Sequence, residues 1–198
     1  MPRYSVDDEY IDPISGVLKN LLGIRDQVSL EVNEADFVSV RSAQLSFSPP
    51  AGIFDLQYLR RIHRHLFQDV YAWAGELRTV DISKGNNRFA HHAFIVGASQ
   101  PIFQQLRDES DLAGLDKEAF CLRAAYFLGE LNALHPFREG NGRTQREFIN
   151  LLARQNGYVF VWKKADRSEF LEASIRSFTG DLAGLTRILC EIIQDFPQ

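Results

Sequence analysis

Between His135 and Phe148 the sequence reads HPFREGNGRTQREF. One histidine, two acids, three arginines, two glycines and an asparagine fall within a single short stretch. Pro136 disfavours the α conformation for His135, so a helix arriving from the N-terminal side ends there. That places the imidazole at a helix C-terminus, where it can work as an acid–base group. Gly140, Asn141 and Gly142 allow a tight turn with free backbone N–H groups. A helix then restarts at Asn141 or Gly142, with asparagine as an N-cap. A glycine-bearing loop that enters a helix N-terminus is an anion site, above all for phosphate.

The charges sharpen that reading. Arg143 and Arg146 are three residues apart and share a helix face. Two guanidinium groups at the positive end of a helix make sense when a polyanion sits there. Glu139 can hold a magnesium ion that bridges two phosphates. Base, metal and cradle together suit transfer of a phosphorus-centred group to an acceptor. Phe137 reads as structure, a ring plugged into the core that pins the loop. A solvated helix connection would leave the paired arginines unexplained. A Walker loop does not fit: Phe137 stands where its first glycine belongs and the lysine is absent. The G-x-G-x-x-G pattern fails at Gln145.

The surrounding elements must position this loop. Residues 1–49 read as an N-terminal arm packed on a domain of residues 50–198. Within the arm, Asn33 caps a helix over about 34–46. SPPAG breaks the chain at 48–52. Apolar spacing predicts a helix from Ile53 to Trp73 through Leu56, Leu59, Ile62 and Leu66. Residues 77–91 read as a β-hairpin around KGNNR, the one credible strand pair. A helix over 93–109 follows, and then a linker. Residues 116–134 form a strongly apolar helix with Phe120, Leu122, Ala124, Phe127, Leu128 and Leu131, as a central buried helix requires. After the loop, a helix runs to Gly157 and YVFVWKK is short and extended or irregular. Asp166 or Ser168 then caps another helix, and residues 181–196 form the last. The fold class is mainly α, a helical bundle around a central helix–loop–helix with one hairpin flap.

Composition bounds the rest. The chain has 198 residues, 45% of them hydrophobic and 24% charged, with a formal charge of -4. That suits one soluble domain and argues against direct nucleic-acid binding. The acidic start is no secretory signal, and no apolar run reaches the length of a membrane span, so a cytoplasmic location is expected. Cys121 and Cys190 read as two small buried residues. His63, His65, His91 and His92 read as structural or surface groups, and the RRIHRH run at 60–65 as a solvated helix face.

HPFREGNGRTQR resembles the signature H-P-F-x-[D/E]-G-N-G-R-x-x-R of the Fic family and agrees at every fixed position. HRHLFQDVYAWAGELR (63–78) is similar to the family's helix and W-A-G-x-x-R turn, and ISKGNNRFA (82–90) to its flap. The arm resembles that of short toxin-type bacterial members. The resemblance implies a Fic fold and a protein adenylyltransferase, which moves AMP from ATP to a Tyr, Ser or Thr hydroxyl of a target protein. By that resemblance His135 is the base, and Glu139 holds Mg2+. Arg138, Glu139, Gly140, Asn141, Gly142, Arg143 and Arg146 would bind the nucleotide, joined by Lys84 and Gly85. The flap, Lys84, Gly85, Asn86, Asn87, Arg88 and Phe89, would clamp the target as an added strand. Glycine rather than lysine at Gly142 matches the AMP-transferring branch. Transfer of another group, removal of AMP, and a nucleotide-binding regulatory module remain alternatives.

Many family members carry an inhibitory helix with [S/T]-x-x-x-E-[G/N]. Here Ser5 to Glu9 is followed by Tyr10, and Ser168 to Glu172 by Ala173, so neither stretch completes it. The resemblance then implies a separate small antitoxin bearing that helix, whose glutamate pairs with Arg146. Type II topoisomerase subunits are the implied targets.

Overall fold

A computed structural model describes residues 8–84 and 87–196. Seven α-helices lie within them. Helix α1, Gln27–Phe47, begins earlier than the sequence suggests. Its N-cap is Asp26, whose carboxylate accepts from Ser29 N at 2.7 Å. Asn33 lies inside the helix and its amide bonds back to Ser29 O. Glu34 explains the error, because it holds a buried position between Leu30 and Val38 and so hides the apolar spacing.

Helix α2, Leu56–Phe67, is capped by Asp55 and buries Leu59, Ile62, His63, Leu66 and Phe67. It stops at Phe67 rather than Trp73. The chain turns there, with the amides of Val70 and Tyr71 both returning to Phe67 O. Ile53 precedes the helix and is exposed. Helix α3 spans Ile95–Asp108.

Helix α4, Lys117–Leu134, buries Phe120, Ala124, Ala125, Phe127, Leu128 and Leu131 and packs on α3 and on helix α5, Asn141–Gln155. Its wide apolar arc accounts for this central place. Leu122 is an exception on that helix, half exposed. Helix α6 is Arg167–Arg176, capped by Asp166 and not Ser168, and α7 is Ala183–Ile192, which packs against α4 and α6.

The hairpin is smaller than 77–91. Strand β1, Ser83–Lys84, pairs antiparallel with β2, Asn87–Arg88. A second strand pair joins it, contrary to the sequence reading. Tyr158–Phe160 (β3) pairs antiparallel with Ile193–Asp195 (β4), Phe160 opposite Ile193. The last helix therefore ends at Ile192. Val159 and its aromatic neighbours favour an extended chain, but their partner lies far along the sequence, where no local pattern reveals it. Cys121 is buried and Cys190 is exposed, so only the first fits the sequence reading. No described helix is long and apolar enough to cross a membrane.

Candidate active site

Helix α4 ends at His135, which takes a left-handed conformation with φ 43° and still donates its amide to Leu131 O. Non-glycine residues adopt that conformation rarely, and active sites are where such strain collects. His135 Nδ1 lies 3.1 Å from Asn132 O. A carbonyl only accepts, so Nδ1 carries the proton and Nε2 is the basic nitrogen. Phe89, just past β2, stacks on this ring at 3.7 Å and 14°.

The loop between α4 and α5 is held from inside. Phe137 is buried and its ring stacks on His63 at 3.9 Å. Asn141 opens α5 and is not its cap; Gly140 holds that position with φ 79°. The Asn141 side chain accepts from Phe137 N at 2.9 Å and donates to Phe137 O at 2.7 Å. Its amide therefore closes the loop, and what it leaves for a ligand is backbone N–H. A Cβ on Gly140 would sit 2.3 Å from the Phe67 ring, so the positive φ and the close approach both demand glycine. At Gly142 a Cβ would meet only Arg146, at 3.6 Å. The backbone there faces open space. The first amides of α5 have no intrahelical acceptor and, with the helix dipole, favour an anion in that space.

His63 is fully buried. Gly75 N donates to its Nδ1 at 2.8 Å, so its Nε2–H donates to Glu139 O at 3.0 Å. Burial pulls its pKa down to about 3, and the ring is a neutral peg beneath the loop. Arg78 is also buried. Its guanidinium donates to His135 O at 2.9 Å, to Val80 O at 2.8 Å and to Ala90 O. Its amide donates to Pro136 O, and Ala90 N to Ala133 O. One arginine thus ties the reactive loop to both ends of the hairpin. Neither residue stands out in sequence. An arginine in a turn and a histidine on a helix gain these roles only from distant carbonyls. The W-A-G-x-x-R pattern was the one available signal.

A cavity of about 740 Å³ opens beside the loop. His135, Glu139, Asn141, Gly142 and Arg146 line it, together with Trp162, Phe170 and Leu171. Burial, with the charge of Arg143 adding to it, pushes the Arg146 pKa down. A cation so placed favours an anionic ligand. No carboxylate of the described residues forms an ion pair with Arg146. Glu9 takes the Thr79 hydroxyl, and Glu172 pairs with Arg176 at 2.6 Å on the outer face of α6.

Arg143 and Arg146 follow each other on α5 but line different cavities. Arg143 turns away, 2.5 Å from Glu34 of α1 and stacked over Phe67. It lines a neighbouring cavity of about 220 Å³ with Glu34, Tyr71 and Glu139. The Tyr71 hydroxyl donates to Glu34, and burial raises its pKa. Glu139 stands between the two cavities, 3.8 Å from Arg143, and its own carboxylate accepts from Gly140 N. Its carboxylate reaches the amide-lined space, as a magnesium ligand beside phosphates requires. Arg138 is not at the cavity. Its guanidinium is buried and pairs with Asp8 of the arm at 2.6 Å. Lys84 and Asn87 pair through their backbones, Arg88 is exposed, and Gly85 and Asn86 lie outside the described residues.

The sequence profile of the Fic/DOC family matches residues 53–153. The chain is 48% identical to protein adenylyltransferase VbhT of Bartonella schoenbuchensis, over 96% of this chain and 40% of that protein. It thus spans less than half of that relative. It is 42% identical to "Probable protein adenylyltransferase y4lH" of Sinorhizobium fredii, over 93% of this chain and 96% of that one. The fold superposes on the N-terminal Fic domain of a VirB-translocated Bep effector of Bartonella quintana, solved with bound ADP. The TM-score is 0.90 at 28% identity, covering 94% and 95% of the two chains. On its sequence, its relatives and its fold, the chain belongs to the Fic/DOC family.

Proposed function

We propose that this chain is a protein adenylyltransferase that moves AMP from ATP to a side-chain hydroxyl of a target protein. The observation that carries the reading is the single cavity that His135, Gly142 at the start of α5 and the half-buried Arg146 line together with Trp162 and Phe170. The phosphates lie on the amides and Arg146, and the adenine lies toward the aromatic residues. His135 Nε2 takes the proton of the acceptor hydroxyl. The oxygen attacks the α-phosphorus, the bond to the bridging oxygen breaks, and pyrophosphate leaves. Glu139 would hold Mg2+, which supplies charge neutralisation for the phosphates. The short β1–β2 hairpin gives the target a strand edge beside Phe89 and His135.

The absence of a carboxylate on Arg146 among the described residues supports control by a separate antitoxin, whose glutamate would compete there with the terminal phosphate. Type II topoisomerase subunits are the first targets to test, and the cytoplasm is the place to look. ATP labelled at the α-phosphate, incubated with the chain and a bacterial lysate, should mark a protein band. Binding without labelled protein, or release of free AMP alone, would overturn the reading.

A further inference from the structure

We propose that Asp81, His91 and His92 form a site for one divalent ion of the zinc class, at the stem of the β1–β2 hairpin. These three side chains each offer one ligand atom, and the three atoms lie within 4.8 Å of one another. Asp81 Oδ2 is 3.1 Å from His91 Nε2, and Asp81 Oδ1 is 3.0 Å from His92 Nδ1. The two imidazoles stack at 4.5 Å. Zinc held by imidazole and carboxylate at about 2.0–2.2 Å in a tetrahedron needs its ligand atoms about 3.3–3.6 Å apart. The Asp81–His91 pair needs to open by only a few tenths of an ångström, and the three atoms, all within 4.8 Å of one another, need to settle to that spacing around the ion. Water completes the four ligands.

The second contacts of these groups fit the role. Asp81 Oδ1 already accepts from His92 N at 2.8 Å and lies 3.5 Å from the buried Arg78. That oxygen is anchored, which leaves Oδ2 for the ion, and the same amide holds the carboxyl below its ordinary range. His91 has one contact to give up. Ala93 N lies 3.3 Å from its Nδ1, a long bond that ends when the ion takes Nε2 and the proton moves to Nδ1. Two imidazoles and one carboxylate suit zinc rather than magnesium or calcium, which prefer oxygen. The cluster is also separate from the cavity, where Glu139 is the candidate ligand.

Position gives the ion its consequence. Asp81 precedes β1, and His91 and His92 follow β2. An ion on all three clips the two ends of the hairpin together. Between them Phe89 lies on the His135 ring, and Ala90 pairs with Ala133. A clipped stem fixes the flap over the reactive histidine.

The test uses the full chain without a purification tag, titrated with Zn2+ by equilibrium dialysis and with Co2+ by its visible absorption. One equivalent should bind, and the Co2+ band should report nitrogen and oxygen ligands. His91→Ala and His92→Ala should each weaken binding by more than about tenfold. Glu139→Ala should keep it. Saturating Zn2+ should also slow tryptic cleavage after Arg88 in the parent and leave His91→Ala unaffected. Absence of saturable binding, binding that survives both histidine variants, binding that vanishes with Glu139→Ala, or cleavage indifferent to Zn2+ would overturn the proposal.

Discussion

At the scale of single residues, His135 and His63 show how one side chain takes opposite duties. His135 lines the cavity with Nε2 as its basic nitrogen. His135→Ala should cut transfer by about 10²–10⁴-fold and leave ATP binding within a few fold, since the base acts on the acceptor proton. Label-transfer rates and a nucleotide titration check both parts. His63 is buried and neutral, with its pKa lowered to about 3 from 6.5. The unfolded chain takes up a proton below pH 6.5 and the folded chain does not. Stability from this group is therefore complete above 6.5 and falls between 6.5 and 3, by up to about 1.4 kcal/mol per pH unit. His63→Gln should melt lower than the parent at pH 8, and the gap should shrink as pH falls toward 4. A constant gap would sink the assignment. The HPFREGNGRTQR cluster was legible because its chemistry is local, a loop and one helix turn. His63, Arg78 and Glu34 were not, because each gains its role from a partner far along the chain. Arg138 and Arg143 show the same limit: the resemblance put both with the phosphates, and in this structure Asp8 and Glu34, two acids of the arm, pair with them.

At the scale of elements, the hairpin and the reactive loop are one unit joined by Arg78. Its fork reaches His135 O, Val80 O and Ala90 O together, which an ammonium on a flexible stem cannot reproduce. Arg78→Lys should lower target modification by at least tenfold while ATP affinity changes little, because the cradle at Gly142 and Arg146 is built from α5. Equal losses in both measurements would count against this division. The helices themselves were readable, since the cap at Asp166 and the apolar face of α4 are local signals. Strand β4 was not, because its residues 193–195 continue a helical pattern and only pairing with β3 pulls them straight.

At the scale of the whole molecule, the open question is who occupies Arg146. The isolated chain should be active and should slow bacterial growth when overproduced. A small partner bearing S-x-x-x-E-G should silence it, and replacing that glutamate by glycine should restore activity. An isolated chain that is inert until Glu172→Gly switches it on would instead place control inside α6. The exposed Glu172–Arg176 pair argues for the first outcome.

The β3–β4 pairing also sets an order of events in synthesis. The reactive loop and Arg146 are made first, yet α6 and Trp162 close the cavity around them, and β4 and α7 hold that wall against β3 and α4. Roughly fifty residues separate Arg146 from Asp195. At about 5–20 residues per second, a nascent chain spends seconds with its chemistry written and its nucleotide chamber still open to water. Ribosome-bound chains halted within that interval should bind ATP no better than background, and chains with β4 clear of the ribosome should bind it fully. Capture of a ligand in this cavity would wait until β4 docks on β3.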